Sequence, residues 1–151
     1  MEKYKGTSLE TKSIERYGNP TVDESKYKKT DYDYMFNKNE KREENIAITY
    51  LGKEISYGEF KENVDLAAKM LKNLGISRGD RVAVILPNMP EANFLLYGAI
   101  KDGIVCDFID PRTKSDTLLK LLENDNIKAV FVLDNLYEEL VSPINNDLSD
   151  R

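Results

Sequence analysis

This chain has no histidine, one cysteine and five prolines in 151 residues. Without histidine there is no Ser-His-Asp or Cys-His nucleophile system and no His-based zinc site. A single thiol, Cys106, excludes an internal disulfide and fits a reducing compartment. The opening "MEKYKGTSLETKSIERYG" lacks the apolar core of a signal peptide, so a cytoplasmic location is expected. Two phosphate-binding patterns are also missing. No GxxxxGK[ST] occurs, and no GxGxxG follows a strand-like run. Positive charge is in short supply as well. The net charge is −5, and because acids and bases balance over residues 1–45, the later residues carry the whole excess. That balance disfavours a nucleic-acid partner.

Long uninterrupted apolar runs are absent too, although one stretch comes close. Val82 to Ile100 is long enough to cross a bilayer and holds a single charge, Glu91. Pro87, Asn88 and Pro90 break its first half, so it reads as a buried strand, a turn and a buried helix, with no membrane span.

Around that stretch the chain divides into three parts. Residues 1–45 form a polar arm with one short helix from Tyr32 to about Lys41, capped by Asp31. Residues 46–141 form an α/β subdomain, and residues 142–151 a polar tail. "IAITYLGKEISY" reads as a hairpin turning at Gly52-Lys53. Ser56, with Glu59 three residues on, is a capping box for a helix burying Phe60, Val64, Ala67, Ala68, Leu71 and Leu74, and Gly75 stops it. "RVAVIL" suits a strand buried on both faces. Helix Glu91–Asp102 is apolar nearly all round and ends at Gly103. "IVCDFI" is a second strand, in which Phe108 is expected in the core. Asp107 interrupts that strand, which places it at an edge or against a partner surface. Then come a helix capped by Ser115 that buries Leu118, Leu121 and Leu122, a third strand "KAVFVL", and a last helix over Asn135–Val141. Strand and helix alternate with short links, which implies an α/β fold with a mostly parallel sheet (βαβαβ), flanking helices and an N-terminal β-hairpin.

In an open parallel sheet, ligands collect beyond the carboxyl ends of the strands. Here those ends are Pro87–Pro90, the segment Asp110-Pro111-Arg112-Thr113-Lys114, and Asp134-Asn135. Arg112 and Lys114 stand just before a helix start, where basic side chains and free backbone N–H groups suit an anion. The alternative is that Ser115 only caps the helix and both cations are solvated. Asp107, Asp110 and Asp116 are close in sequence but do not have metal-site spacing.

The run from Asn45 to Arg112, with "TYLGKEISYGEF", "GISRGDRVAVILPNMPEANF" and "IKDGIVCDFIDPR" in that order, resembles the start of the AMP-forming acyl-CoA synthetases, members of the adenylate-forming superfamily. More weakly, "IERYGNPTVDESKYKKTDYDYMF" is similar to the leader of the long-chain fatty acid members. The resemblance implies the N-terminal subdomain of the adenylate-forming fold. It also implies a parent ligase that converts a carboxylic or fatty acid, ATP and CoA into acyl-CoA, AMP and pyrophosphate, with Mg²⁺ present. It assigns Arg112, after the "DP" turn, to a phosphate of the CoA nucleotide, with Lys114 beside it. Asp107 and Phe108 depart from the family, whose members have apolar residues and a proline there. The Ser/Thr/Gly-rich phosphate loop, the ribose-binding aspartate and the catalytic lysine of the family are not in these 151 residues. The chain is therefore expected to be an N-terminal fragment, inactive alone and binding no cofactor. An apolar face left uncovered would favour a homo-oligomer. The competing function is a stand-alone flavodoxin-like binding module without catalysis.

Overall fold

The computed structural model describes residues 29–145. Most of the N-terminal arm and of the family-like leader, and most of the polar tail, lie outside those residues. The first element among the described residues is helix α1 (Asp31–Asn39), which starts one residue earlier than the sequence suggests. Its cap is Thr30, whose side chain accepts from the Asp33 backbone N–H while Asp33 reaches back to Thr30. Asp31 is the first helical residue. A hydroxyl one residue earlier completes the box with Asp33, and Asp31 adds negative charge to the first turn.

Strands β1 (Ile46–Tyr50) and β2 (Lys53–Ser56) form the expected antiparallel hairpin. Its turn is one residue earlier than predicted. Tyr50 pairs with Lys53, so Leu51 and Gly52 are the turn residues, with φ of 49° and 80°. Both positive angles match the right-handed strand twist of a two-residue hairpin. Gly52 adopts its angle freely, whereas Leu51 holds a strained one with its side chain 90% exposed.

Helix α2 (Tyr57–Asn73) begins at the predicted Ser56–Glu59 capping box. Strand β3 is Arg81–Ile85, helix α3 is Pro90–Asp102, strand β4 is Val105–Phe108, helix α4 is Ser115–Asn124, and strand β5 is Ile127–Val132. Gly75 and Gly103, at φ of 75° and 72°, are the left-handed stops after α2 and α3. The chain then closes through a short α turn (Asp134–Leu136), a π turn (Tyr137–Val141) and a 3₁₀ turn (Ser142–Ile144). The predicted last helix is thus an irregular helical segment. It carries buried Ile144 three residues beyond the expected 46–141 unit.

The three-stranded sheet is parallel, in the order β4-β3-β5. β3 is central, and Val82 through Ile85 are wholly inaccessible. Alternate residues face opposite layers, as strand geometry requires. Val82 and Val84 pack with Leu71, Leu95, Ala99 and Ile104 of the α2–α3 side. Ala83 and Ile85 pack with Leu118, Leu122, Leu140, Val141 and Ile144 on the other. A buried Val or Ile of this kind contributes about 1.5–3 kcal/mol relative to exposure. A third cluster, Phe36, Ile55, Phe60 and Val64, seats α1 and the hairpin on α2 and α3.

Four expectations about single residues change. Leu74, expected to be buried by α2, is 60% exposed, because it is the cap residue just past the end of that helix. Leu121 is 36% exposed, because on α4 it is Leu118 and Leu122, with Leu119 partly buried beside them, that pack toward the sheet. Ser115 is the first helical residue and not the cap. Lys114 holds the cap position, and the Ser115 hydroxyl donates to the Glu139 carbonyl at 3.0 Å. Phe108 is 53% exposed and not in the core, because β4 is an edge strand and Phe108 is its last residue. The same edge explains Asp107. It accepts two hydrogen bonds from the Arg81 guanidinium, at 3.0 and 2.9 Å, across the β3–β4 pair.

Candidate functional site

Parallel pairing brings the carboxyl ends of β3, β4 and β5 to one rim, as predicted. The β4 end is the most developed part of it. Ile109 donates its N–H to the Val84 carbonyl, which anchors the loop to the central strand just before it leaves the sheet. Asp110 then turns the chain, with Thr113 N–H donating to its carbonyl. Arg112 and Lys114 project from this turn into solvent ahead of α4. With Pro111, Thr113, Ser115 and Glu139 they line a shallow depression of about 230 Å³. The two cations predicted from sequence are therefore on one wall, beside the start of α4.

Their electrostatics differ from the sequence reading in one respect. Arg112 is not a free cation. Its Nε donates to Asp110 Oδ1 at 3.0 Å and its Nη2 to Oδ2 at 2.6 Å, and its backbone N–H also donates to Oδ1 at 2.9 Å. These bonds hold the Asp110 carboxyl down at about 2 and raise the Arg112 guanidinium further above its usual range. The side chain of Arg112 is still 90% exposed. The pairing was missed from sequence, although its signal, an aspartate two residues before an arginine across a proline, is legible there.

Two other concavities bear on the choice of site. One, of about 400 Å³, lies between the hairpin and α2–α3 and presents Lys53 with Glu59, Glu62 and Glu91. Three carboxylates to one ammonium make it a poor seat for phosphate or carboxylate. The other is an apolar groove of about 390 Å³ between Leu66, Ala67 and Met70 of α2 and Leu86, Phe94 and Phe131. Leu66 and Met70, which line it, and Leu74 nearby in sequence are exposed among the described residues.

Elsewhere the titratable groups read as structural. Asp65 accepts from Tyr32 Oη, Lys61 Nζ and Lys101 Nζ at 2.6, 2.9 and 2.8 Å, joining α1, α2 and α3. Its partial burial works against ionisation, but the hydrogen bonds from Lys101, Tyr32 and Lys61 prevail and hold it at about 2. Asp80, held low by the Ser77 backbone N–H, Lys128 and the Ser77 hydroxyl, staples the turn that leads into β3. Burial, then the neighbouring Asp107, pushes the Cys106 thiol up to about 11, which leaves it a poor nucleophile. Among the described residues no three His, Cys, Asp or Glu side chains could hold a metal ion, and no helix is long and apolar enough to cross a membrane.

Comparison with known proteins places this geometry. Residues 35–150 match the family model described as AMP-binding enzyme. Over 86 residues, 57% of the chain, the sequence is 33% identical to the 4-hydroxybenzoate–CoA/benzoate–CoA ligase of Rhodopseudomonas palustris, and the match covers 16% of that protein. The fold is similar to that of a benzoate CoA ligase from Burkholderia xenovorans LB400. That match has a TM-score of 0.72 and 20% identity, and covers 82% of this chain and 24% of that one. It is also similar to the N-terminal domain of FACL13 from Mycobacterium tuberculosis, with a TM-score of 0.66 and 23% identity over 82% of this chain and 30% of that one. The chain thus spans about a sixth of the length of the curated relative.

Proposed function

The chain belongs to the AMP-binding enzyme family, and from that premise we propose that it is the N-terminal portion of an ATP-dependent acid–CoA ligase. The observation that carries the reading is the agreement between the family match and a rim built from three parallel strand ends. The parent reaction joins a carboxylic acid to CoA through an acyl-adenylate, releasing pyrophosphate and then AMP. ATP with Mg²⁺ supplies the activating phosphoryl chemistry. The described residues gather no metal-binding cluster, and the 151 residues contain no phosphate loop, so no part of the adenylation step is assigned to them. On their own they are proposed to be inactive.

Their contribution is a rigid floor and one electrostatic contact. The β3 core holds the rim in place, and the Asp110–Lys114 turn presents Arg112 and Lys114 outward. A phosphate of the CoA nucleotide fits this wall. Lys114 and the guanidinium edge that Asp110 leaves open can give N–H bonds to its oxygens. Both groups are solvent-facing, so the contact favours CoA binding and leaves the bond-making chemistry alone.

The test is Arg112→Ala in the intact ligase. The apparent KM for CoA should rise about 3- to 30-fold, the loss of a charge-assisted hydrogen bond weakened by solvent exposure. The KM for ATP and the turnover at saturating CoA should hold. An unchanged CoA dependence would reject the role of Arg112.

A further inference from the structure

One contact on the rim opposes its use as an anion site. Asp110 occupies one whole edge of the Arg112 guanidinium, taking Nε and Nη2 together, and takes the Arg112 backbone N–H as well. An anion arriving at Arg112 meets a fixed negative charge hydrogen-bonded to the group it seeks. Lys114, two residues on, forms no ion pair with any described carboxylate. We infer that Asp110 is a built-in competitor for Arg112, an internal carboxylate that weakens phosphate binding at this turn and makes the site selective for multiply charged phosphate esters over singly charged anions.

This rests on the assignment of Arg112 to a phosphate. The physical argument is one of competition. A single carboxylate on the ligand offers Arg112 no more than Asp110 already does, at the entropic cost of bringing in a second molecule. A phosphate ester near pH 7 carries between one and two negative charges and three acceptor oxygens. It can take the free edge of the guanidinium and Lys114 together without displacing Asp110 completely. Both partners are exposed, so the ion pair is weak enough to yield. The low titration range of Asp110 means that the competitor stays charged throughout the neutral range.

The experiment titrates the 151-residue chain with inorganic pyrophosphate and, separately, with acetate. It follows the Arg112 Nε–H and the Lys114 and Ser115 amides by nuclear magnetic resonance in wild type, Asp110→Asn, Arg112→Ala and the double variant. All four should keep the amide dispersion of a folded chain, since both residues are exposed. Asp110→Asn is expected to tighten pyrophosphate binding about 3- to 10-fold at low salt and to make acetate binding detectable. Both gains should largely vanish at about 0.5 M salt, where exposed charges are screened. Arg112→Ala should abolish the gain in the double variant. If Arg112→Ala binds pyrophosphate as wild type does, or if no variant shows a response, the Arg112 assignment itself fails. If Arg112→Ala weakens binding but Asp110→Asn leaves it equal or weaker, Arg112 stands and the competitor role of Asp110 is overturned.

Discussion

Gly98 shows how much one residue can decide. It lies where α3 crosses α2, and a Cβ built on it would come within 2.8 Å of the Ala68 nitrogen, 3.0 Å of the Val64 carbonyl oxygen and 3.1 Å of Ala67 Cβ. Two of those neighbours are backbone atoms, which cannot rotate away. Gly98→Ala should therefore force the helices apart and cost about 1–3 kcal/mol, in the range of core overpacking. In urea denaturation the midpoint should fall with little change in slope. A glycine inside a helix ordinarily gains stability on replacement by alanine, so an unchanged or higher midpoint would show that the helices do not approach this closely. From sequence alone Gly98 is an unexplained weak spot in a helix, because the neighbour it accommodates is some thirty positions away.

At the scale of elements, α1 depends on a polar pin and an aromatic seat. Phe36 stacks against Phe60 at 5.6 Å between ring centroids and meets Tyr97 at 6.4 Å. Tyr32 lies beside Phe36 at 4.8 Å and reaches Asp65 with its hydroxyl. Asp65 accepts from side chains of α1, α2 and α3 together, so Asp65→Asn should loosen α1 and cost about 1 kcal/mol, given the partial exposure of the group. The pH dependence follows from the direction of the shift. The folded-state value of about 2 lies below the ordinary carboxylate value. The contribution is therefore complete above about pH 4 and is lost as pH falls toward about 2. The stability difference between wild type and Asp65→Asn, measured by denaturation from about pH 6 downward, should shrink over that interval. A constant difference would mean that the ionised form of Asp65 is not what holds α1.

At the scale of the whole molecule, the three-stranded sheet has helices on both faces, and among the described residues one apolar groove is left open. Leu66 and Met70 of α2 and Leu74 at its C-terminal cap are spaced four residues apart, which puts them on one side of the helix. They are 63%, 41% and 60% exposed. A continuous apolar face of this kind favours association. The isolated chain is expected to self-associate at high concentration through it. Leu66→Lys with Met70→Lys should give a monomer in sedimentation equilibrium without lowering the melting temperature, since both side chains already face solvent. A wild-type chain that stays monomeric across the same range would overturn this expectation.

Much of this was legible in the sequence because it depends on near neighbours. The Ser56–Glu59 box, the glycine stops after α2 and α3, the β-branched run of β3 and the strand–helix alternation all involve residues a few positions apart, whose local preferences agree. The same locality made the rim legible, since a parallel sheet puts all its strand ends on one side. What the sequence did not determine was contact between distant residues. Strand order made β4 an edge, and so exposed Phe108 and paired Asp107 with Arg81. The return of the closing segment claimed the Ser115 hydroxyl for the Glu139 carbonyl and put Ile144 in the core. The Asp110–Arg112 pair lies between these cases, near in sequence yet invisible to hydrophobic pattern. The folded turn shows Arg112 already holding that carboxylate. Periodicity reports which face of an element is apolar, whereas the partner of each polar group is chosen by tertiary packing.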